Sequence, residues 1–236
     1  MRPIHRGSTR KVYAEYEHAK QDLVNRLGPY CSYCERHIAT SLHVEHIQAK
    51  GLPKYEHLRR EWSNFLLACV NCNSAKGDTD VNLQALLLPD RDNTFLAFVY
   101  AEDGTVAVAP GLPPGVTDLA NATCELVSLN LDRHPNWKED LLYSALARVG
   151  QRIQAWVQAK EARADFDSGK VHARAIAREA AGRGFFSIWM AAFAGVPEVR
   201  RELIRVFPNT SSDCFDQDTD PVSPRPNNGL AHGGKI

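Results

Sequence analysis

Three short stretches decide how this chain is read: Tyr30-Cys31-Ser32-Tyr33-Cys34-Glu35, Leu42-His43-Val44-Glu45-His46-Ile47, and Cys69-Val70-Asn71-Cys72-Asn73-Ser74-Ala75-Lys76. Cys31/Cys34 and Cys69/Cys72 are two Cys-x-x-Cys pairs, and together they offer four thiolates. Zinc prefers four soft ligands in a tetrahedron, and a two-residue spacer lets both sulfurs of a pair reach one ion. The pairs are far apart for a simple zinc ribbon, so a structural Zn2+ would close a loop with something inside it. Two independent thiol pairs or a redox pair are the alternatives. A redox pair normally follows a strand in a βαβ pattern, which is missing here. His37 is a further candidate ligand, read more simply as a surface histidine. A site with four cysteine ligands is closed and does no chemistry.

Inside the staple lie Glu45-His46 and Trp62-Ser63-Asn64-Phe65, and Asn73 follows Cys72 directly. In this order the residues resemble the HNH endonuclease family, whose pattern is CxxC, an acidic residue then His, then Asn, then CxxC-Asn-x-x-Lys. The resemblance covers about residues 31–77. It implies a ββα-metal fold, in which a β-hairpin and a helix grip one divalent ion. It also implies roles: His46 as general base, Glu45 and Asn73 as ligands of a catalytic Mg2+ or Mn2+, and Asn64 as the catalytic-site residue that braces the loop holding His46. Lys76 would meet the nucleic-acid backbone. The chemistry agrees, because phosphodiester hydrolysis needs an activated water and a counter-charge for the transition state. Neighbouring residues on a flat strand face opposite ways, so Glu45 and His46 converge only if the strand bends or ends there. The family often has Asp where Glu45 stands, and the span from His46 to Asn64 exceeds the family minimum. His43 shares a strand face with Glu45 and is a rival metal partner.

A looser resemblance, carried by Met1-Arg2-Pro3-Ile4 with Gly7, by Tyr30 to Glu35 and by Leu129-Asn130-Leu131, is to the HNH subunits of Septu- and retron-type anti-phage systems. It implies an ATPase partner and a nucleic-acid substrate, DNA in the first instance and RNA, including tRNA, as the alternative. A non-catalytic zinc module that binds nucleic acid or a partner is the other reading.

The remaining sequence gives the setting. Of 236 residues, 44% are apolar and 24% charged, an ordinary balance for a globular chain. The 28 basic and 28 acidic residues cancel, but unevenly: residues 1–76 hold twelve Lys/Arg against seven Asp/Glu, and residues 77–132 hold one against nine. Phosphate contacts dominate nucleic-acid affinity, so a neutral chain is expected to bind weakly alone. No apolar run is long enough for a transmembrane helix and the first residues lack a signal-peptide pattern, so the expected address is cytoplasmic. Cys124 and Cys214 read as small buried hydrophobes.

The expected architecture is α+β, a zinc-stapled nuclease core with a mainly helical C-terminal region. We divide it as 1–90 (nuclease domain with an N-terminal helix), 91–132 (β-hairpin and connection), 133–220 (helical, with possible partner docking) and 221–236 (disordered tail). Helical spacing of Val12, Tyr16, Ala19, Leu23 and Leu27 predicts a helix over 11–27, ended by Gly28-Pro29. A strand is expected at 42–47, a charged helical insert carrying His57 at 54–62, and a hairpin over 94–109. Residues 110–115 read as a loop. From about Trp137 one long amphipathic helix is expected, with Leu141, Leu142, Ala145, Leu146, Val149, Ile153, Trp156 and Val157 as its apolar stripe. Further helices are expected over 170–181, 184–194 and 197–207. The apolar Phe185–Ala194 segment reads as a core helix or a docking surface, and Arg200, Arg201 and Arg205 as a solvated face.

Overall fold

The computed structural model describes residues 1–130, 139–226 and 229–236, and the side chains of residues 139–142, 144 and 145 are outside the description. Two strands, β1 (His43–His46) and β2 (Phe65–Ala68), pair antiparallel with His46 opposite Phe65 and His43 opposite Ala68. All four residues of β2 are buried, as are Val44, Glu45 and His46 of β1. A strand enclosed on both faces needs a continuous apolar run, which Phe65-Leu66-Leu67-Ala68 supplies. Helix α2 (Val70–Lys76) follows β2 after one residue and packs on both strands. This β1-β2-α2 unit is the ββα core expected from the sequence.

The first cysteine pair forms a turn outside this unit. Ser32 N–H donates to the Leu67 carbonyl at 2.7 Å, fastening the turn to β2. Glu35 closes the turn in the left-handed region, φ 64°. Its carboxylate accepts from Ser187 N–H at 2.9 Å and Oγ–H at 2.6 Å. Gly184 lies against the same turn with φ +81°, where an added Cβ would stand 2.6 Å from His37 N and 2.7 Å from the Glu35 oxygen. Only glycine permits that approach of two backbones.

The N-terminal helix is shorter than its periodicity predicts. Tyr16–Ala19 form a 3-10 turn and α1 runs Lys20–Leu27, while Val12 is 95% exposed. Tyr13 is instead drawn onto Trp62, with ring centroids 6.0 Å apart, and its hydroxyl donates to Asp22 at 3.0 Å. A tertiary contact thus overrides weak local propensity. The insert is likewise a 3-10 segment, Pro53–Leu58, rather than an α-helix through residue 62. Lys54 and Tyr55 both bond Asp80, which pins it to the chain beyond α2.

The hairpin keeps only β3 (Phe98–Tyr100) and β4 (Val106–Val108); the residues before it, Thr94–Ala97, form a single helical turn, α3. Thr94 Oγ donates to the Met1 carbonyl at 2.9 Å and Asn93 Nδ2 to the carbonyls of Cys214 and Val222, both at 2.8 Å. Those distant acceptors, invisible in the local pattern, select the turn. Helix α4 (Pro114–Leu126) replaces part of the expected connection. Its Pro114 occupies the first helical position, where a missing N–H costs nothing.

Four helices complete the fold: α5 (Glu139–Asp167), α6 (Ala173–Arg183), α7 (Phe186–Ala192) and α8 (Pro197–Val206). The expected start of α5 near Trp137 lies outside the described residues. Its expected stripe faces the core only in part: Trp156 packs against it and Val149 is half-buried, and the side chains of Leu141, Leu142 and Ala145 lie outside the described residues. Leu146, Ile153 and Val157 are exposed, whereas Arg148, Arg152, Ala155, Ala159 and Ala162 are buried. The alanines let α7 approach closely, and α7 carries the bulk: Phe186, Ile188, Trp189 and Met190 are at most 0% exposed. Most of the Phe185–Ala194 segment is therefore core, with Ala191 and Ala194 exposed. Arg200, expected on a solvated face, is buried and donates to the Met190 carbonyl at 2.8 Å. No described helix is long and apolar enough to cross a membrane.

The tail, expected to be disordered, is packed where it is described. Arg225 is buried and donates to the carbonyls of Pro89 (3.0 Å) and Ile4 (2.8 Å) and to Ser211 Oγ (2.6 Å). Asn93 N–H reaches the Ile236 carbonyl at 2.9 Å. A Pro/Gly/Asn-rich composition lacks apolar bulk, but one arginine serving several buried carbonyls orders the segment without it. Arg225→Ala is expected to lower stability by about 2–4 kcal/mol, because buried acceptors lose a charged donor. Urea unfolding checks this; an unchanged midpoint would show that the tail is not bound in this way.

Candidate metal-dependent active site

The two cysteine pairs meet. Cys31, Cys34, Cys69 and Cys72 are all buried and their sulfurs lie within 4.8 Å of one another. The Cys34 and Cys69 sulfurs are 3.7 Å apart. Sulfurs about 2.3 Å from a tetrahedral zinc stand about 3.8 Å from each other, so the donor set fits Zn2+. Cys69 is also the N-cap of α2, its sulfur accepting the Cys72 N–H at 3.5 Å. His37 is not among the clustered ligands; its ring lies edge-on to Tyr30, 5.5 Å between centroids. All six cysteines are free thiols, Cys214 buried and Cys124 half-buried.

Glu45, His46, Asn73 and Lys76 line one cleft of about 300 Å³. β1 ends at His46, and this ending lets two adjacent residues serve the same cleft. His46 is 6% exposed, with Tyr16 and Phe65 edge-on to its ring at 4.8 and 5.1 Å. Its Nε2 is 2.9 Å from the Arg59 carbonyl. A carbonyl only accepts, so Nε2 carries the proton and Nδ1 keeps the lone pair in the neutral ring. Burial holds the His46 pKa below its ordinary value, against the pull of that carbonyl. The ring is thus neutral near pH 7, the form a general base needs.

Glu45 is 2% exposed, and burial pushes its pKa up to about 7 against the opposing effect of Lys76. Its Oε1 lies 3.1 Å from Lys76 Nζ, yet accepts no well-directed hydrogen bond. Asn73 is half-buried, and its side chain makes no hydrogen bond among the described residues. An under-satisfied carboxylate and a free amide on one cleft fit a hard, oxygen-preferring cation. Lys76 departs from its expected place: it is 2% exposed and paired with Glu45, rather than reaching outward to a phosphate.

Asn64 does not touch the cleft. Its Oδ1 accepts Gln48 N–H at 2.8 Å and its Nδ2 donates to the Gln48 carbonyl at 2.9 Å. It is therefore a positioning residue, clamping the segment that follows His46. His43 is exposed on the rim of the same cleft, and His57 is exposed on the 3-10 insert. Sequence reasoning did not single out Tyr16 and Lys50 as functional, although both line the cleft, with Lys50 Nζ 3.4 Å from the centre of the Tyr16 ring. Tyr16 was hidden in an apolar stripe, and Lys50 has no motif around it.

A hairpin and helix that carry a His-Glu-Asn cleft, together with four clustered cysteines, have the form of a ββα-metal core. Residues 31–79 match the HNH endonuclease family. The α4–α8 layers lie outside the match. No curated protein matches the chain.

Proposed function

We propose that this protein is a metal-dependent endonuclease that hydrolyses phosphodiester bonds of nucleic acid, DNA in the first instance. The observation that carries the reading is His46: a neutral imidazole, its tautomer set by the Arg59 carbonyl, on the same cleft as Glu45 and Asn73. His46 takes the proton of the attacking water through Nδ1. Glu45 and Asn73 hold the divalent ion, Mg2+ or Mn2+, which when bound supplies charge stabilisation at the leaving oxygen. Lys76 fixes the Glu45 carboxylate from behind. Asn64 keeps the His46 segment in place, and Lys50 at the rim is the cation nearest an incoming phosphate. A structural Zn2+ on Cys31, Cys34, Cys69 and Cys72 holds the hairpin to α2.

The setting we infer is an effector paired with an ATPase in anti-phage defence, which the looser resemblance at residues 1–7, 30–35 and 129–131 supports. A partner also suits a chain with 28 basic and 28 acidic residues, since such a chain steers polyanions weakly by itself. RNA, including tRNA, is the alternative substrate. The Glu45–Lys76 ion pair favours a second reading, a silent zinc module whose carboxylate is already neutralised.

The deciding assay incubates the purified chain with plasmid, single-stranded DNA and total tRNA, each with Mg2+, Mn2+ or EDTA. Cleavage that EDTA stops establishes the enzyme and names its substrate. Binding without cleavage, alone and with a co-purified ATPase, establishes the silent module. Within the nuclease reading, Asn64→Ala is expected to lower kcat about 10–100-fold with little change in KM, because a displacement near 1 Å costs that much. Asn64→Asp keeps the acceptor for Gln48 N–H and should recover part of the loss. A KM effect alone would assign Asn64 to substrate binding instead.

A further inference from the structure

Arg148 and Arg152 stand one turn apart on α5, and both are 0% exposed. Like charges at this spacing repel, and a buried cation needs a counter-charge. Among the described residues no carboxylate pairs with either. The buried carboxylates are engaged elsewhere: Glu35 with Ser187, Glu45 with Lys76, Asp90 with Arg6 and Asp92 with Lys235. What Arg148 does meet is a cysteine of the cluster. Its Nη1 donates to Cys72 Sγ at 3.3 Å, and its Nη2 donates to the Ser128 carbonyl. Arg152 Nη1 donates to the carbonyls of Gly104 (3.0 Å) and Leu129 (3.1 Å).

A divalent ion with four thiolates carries a net charge of two minus, which favours a buried cation in contact with it. We propose that Arg148 is a built-in counter-charge of the zinc tetrathiolate, and that the zinc site thereby anchors helix α5 as well as the HNH domain. Arg152, one turn on, is held by backbone carbonyls and makes no contact with the sulfurs among those described. Arg148 is a positioning residue. Its N–H···S bond orients Cys72 and draws electron density from the sulfur, which disfavours protonation and loss of the metal. Its second bond ties the site to the end of α4 through Ser128. The residues that close the site thus come from inside the family match, whereas a counter-charge comes from outside it. A nuclease that loses zinc would release its helical layer together with its hairpin.

The inference rests on the zinc reading and is independent of cleavage. The full chain would be purified, its zinc measured by elemental analysis, and zinc transfer to a chromogenic chelator followed for wild type, Arg148→Met and Arg148→Lys. Amide hydrogen exchange would be recorded for wild type before and after zinc removal. One zinc per chain is expected, with zinc affinity about 10–100-fold weaker in Arg148→Met and partly restored in Arg148→Lys. Zinc removal should expose amides across residues 146–160 together with those of 65–76. An Arg148→Met affinity within twofold of wild type, or α5 amides that stay protected without zinc, overturns the proposal. The wild-type exchange experiment decides the matter if Arg148→Met does not fold. A chain that neither carries nor takes up zinc overturns the zinc reading and this inference together, leaving the nuclease reading to its own assay.

Discussion

Cys69→Ser is expected to leave a chain without zinc and without a cooperative unfolding transition in its HNH domain. Serine is a good N-cap, so it can still receive the Cys72 N–H that Cys69 Sγ accepts at 3.5 Å. The substitution therefore isolates ligation from capping. Structural zinc supplies about 10–16 kcal/mol of apparent binding free energy in small zinc domains, and whole domains are stable by only about 5–15 kcal/mol. Losing a large share of the first exhausts the second. Two short strands and a seven-residue helix cannot compensate, since isolated elements of this length are marginal in water. Elemental analysis and thermal unfolding by circular dichroism check the prediction. Full zinc occupancy, or a Tm within about 2 °C of wild type, where 1 kcal/mol corresponds to roughly 2–4 °C in a chain of this size, would show that the cysteines are not a metal staple.

His46→Gln is expected to cut kcat about 10²–10⁴-fold, the usual contribution of a positioned general base, with zinc content and unfolding midpoint close to wild type. Gln is preferred to Ala here. An amide N–H can still donate to the Arg59 carbonyl, which His46 Nε2 reaches at 2.9 Å. It also fills part of the space against Tyr16 and Phe65, whose rings lie 4.8 and 5.1 Å from the imidazole. What it lacks is a basic nitrogen with a lone pair. Single-turnover cleavage with saturating Mg2+ or Mn2+ separates the chemical step from product release. A variant that cuts at the wild-type rate would remove His46 from the mechanism, and the cleft would need another base, with His43 on its rim as the nearest candidate.

The core was legible because its signals are local or strictly spaced. Two Cys-x-x-Cys pairs point to a closed metal site, and the resemblance carried by Glu45-His46, Asn64 and Asn73 implies a hairpin and a helix, the form that β1, β2 and α2 have. The buried Phe65–Ala68 strand and the Phe185–Ala194 core helix could also be read from apolar runs. The N-terminal helix starts later than expected because Tyr13 stacks on Trp62, forty-odd positions away, and Val12 of the stripe stays exposed. The hairpin formed with a shorter first strand, because Asn93 and Thr94 find acceptors at Cys214, Val222 and Met1. In both cases a distant partner was worth more than local propensity.

The sequence by itself offered the residues we propose to bind metal and move a proton, through their side-chain chemistry and the order that the resemblance recognises. Only the tertiary structure decided which of them are free to act. It turned Lys76 inward onto Glu45, because a buried carboxylate holds the nearest cation. It made Asn64 a clamp on Gln48. It buried Arg148 and Arg152 of α5 and left Leu146, Ile153 and Val157 exposed. Hydrophobic periodicity places charge outside because it knows only water as the solvent of an arginine. Here the Cys72 sulfur and a set of buried carbonyls accept from two of them instead, and those acceptors come from parts of the chain that only folding brings together.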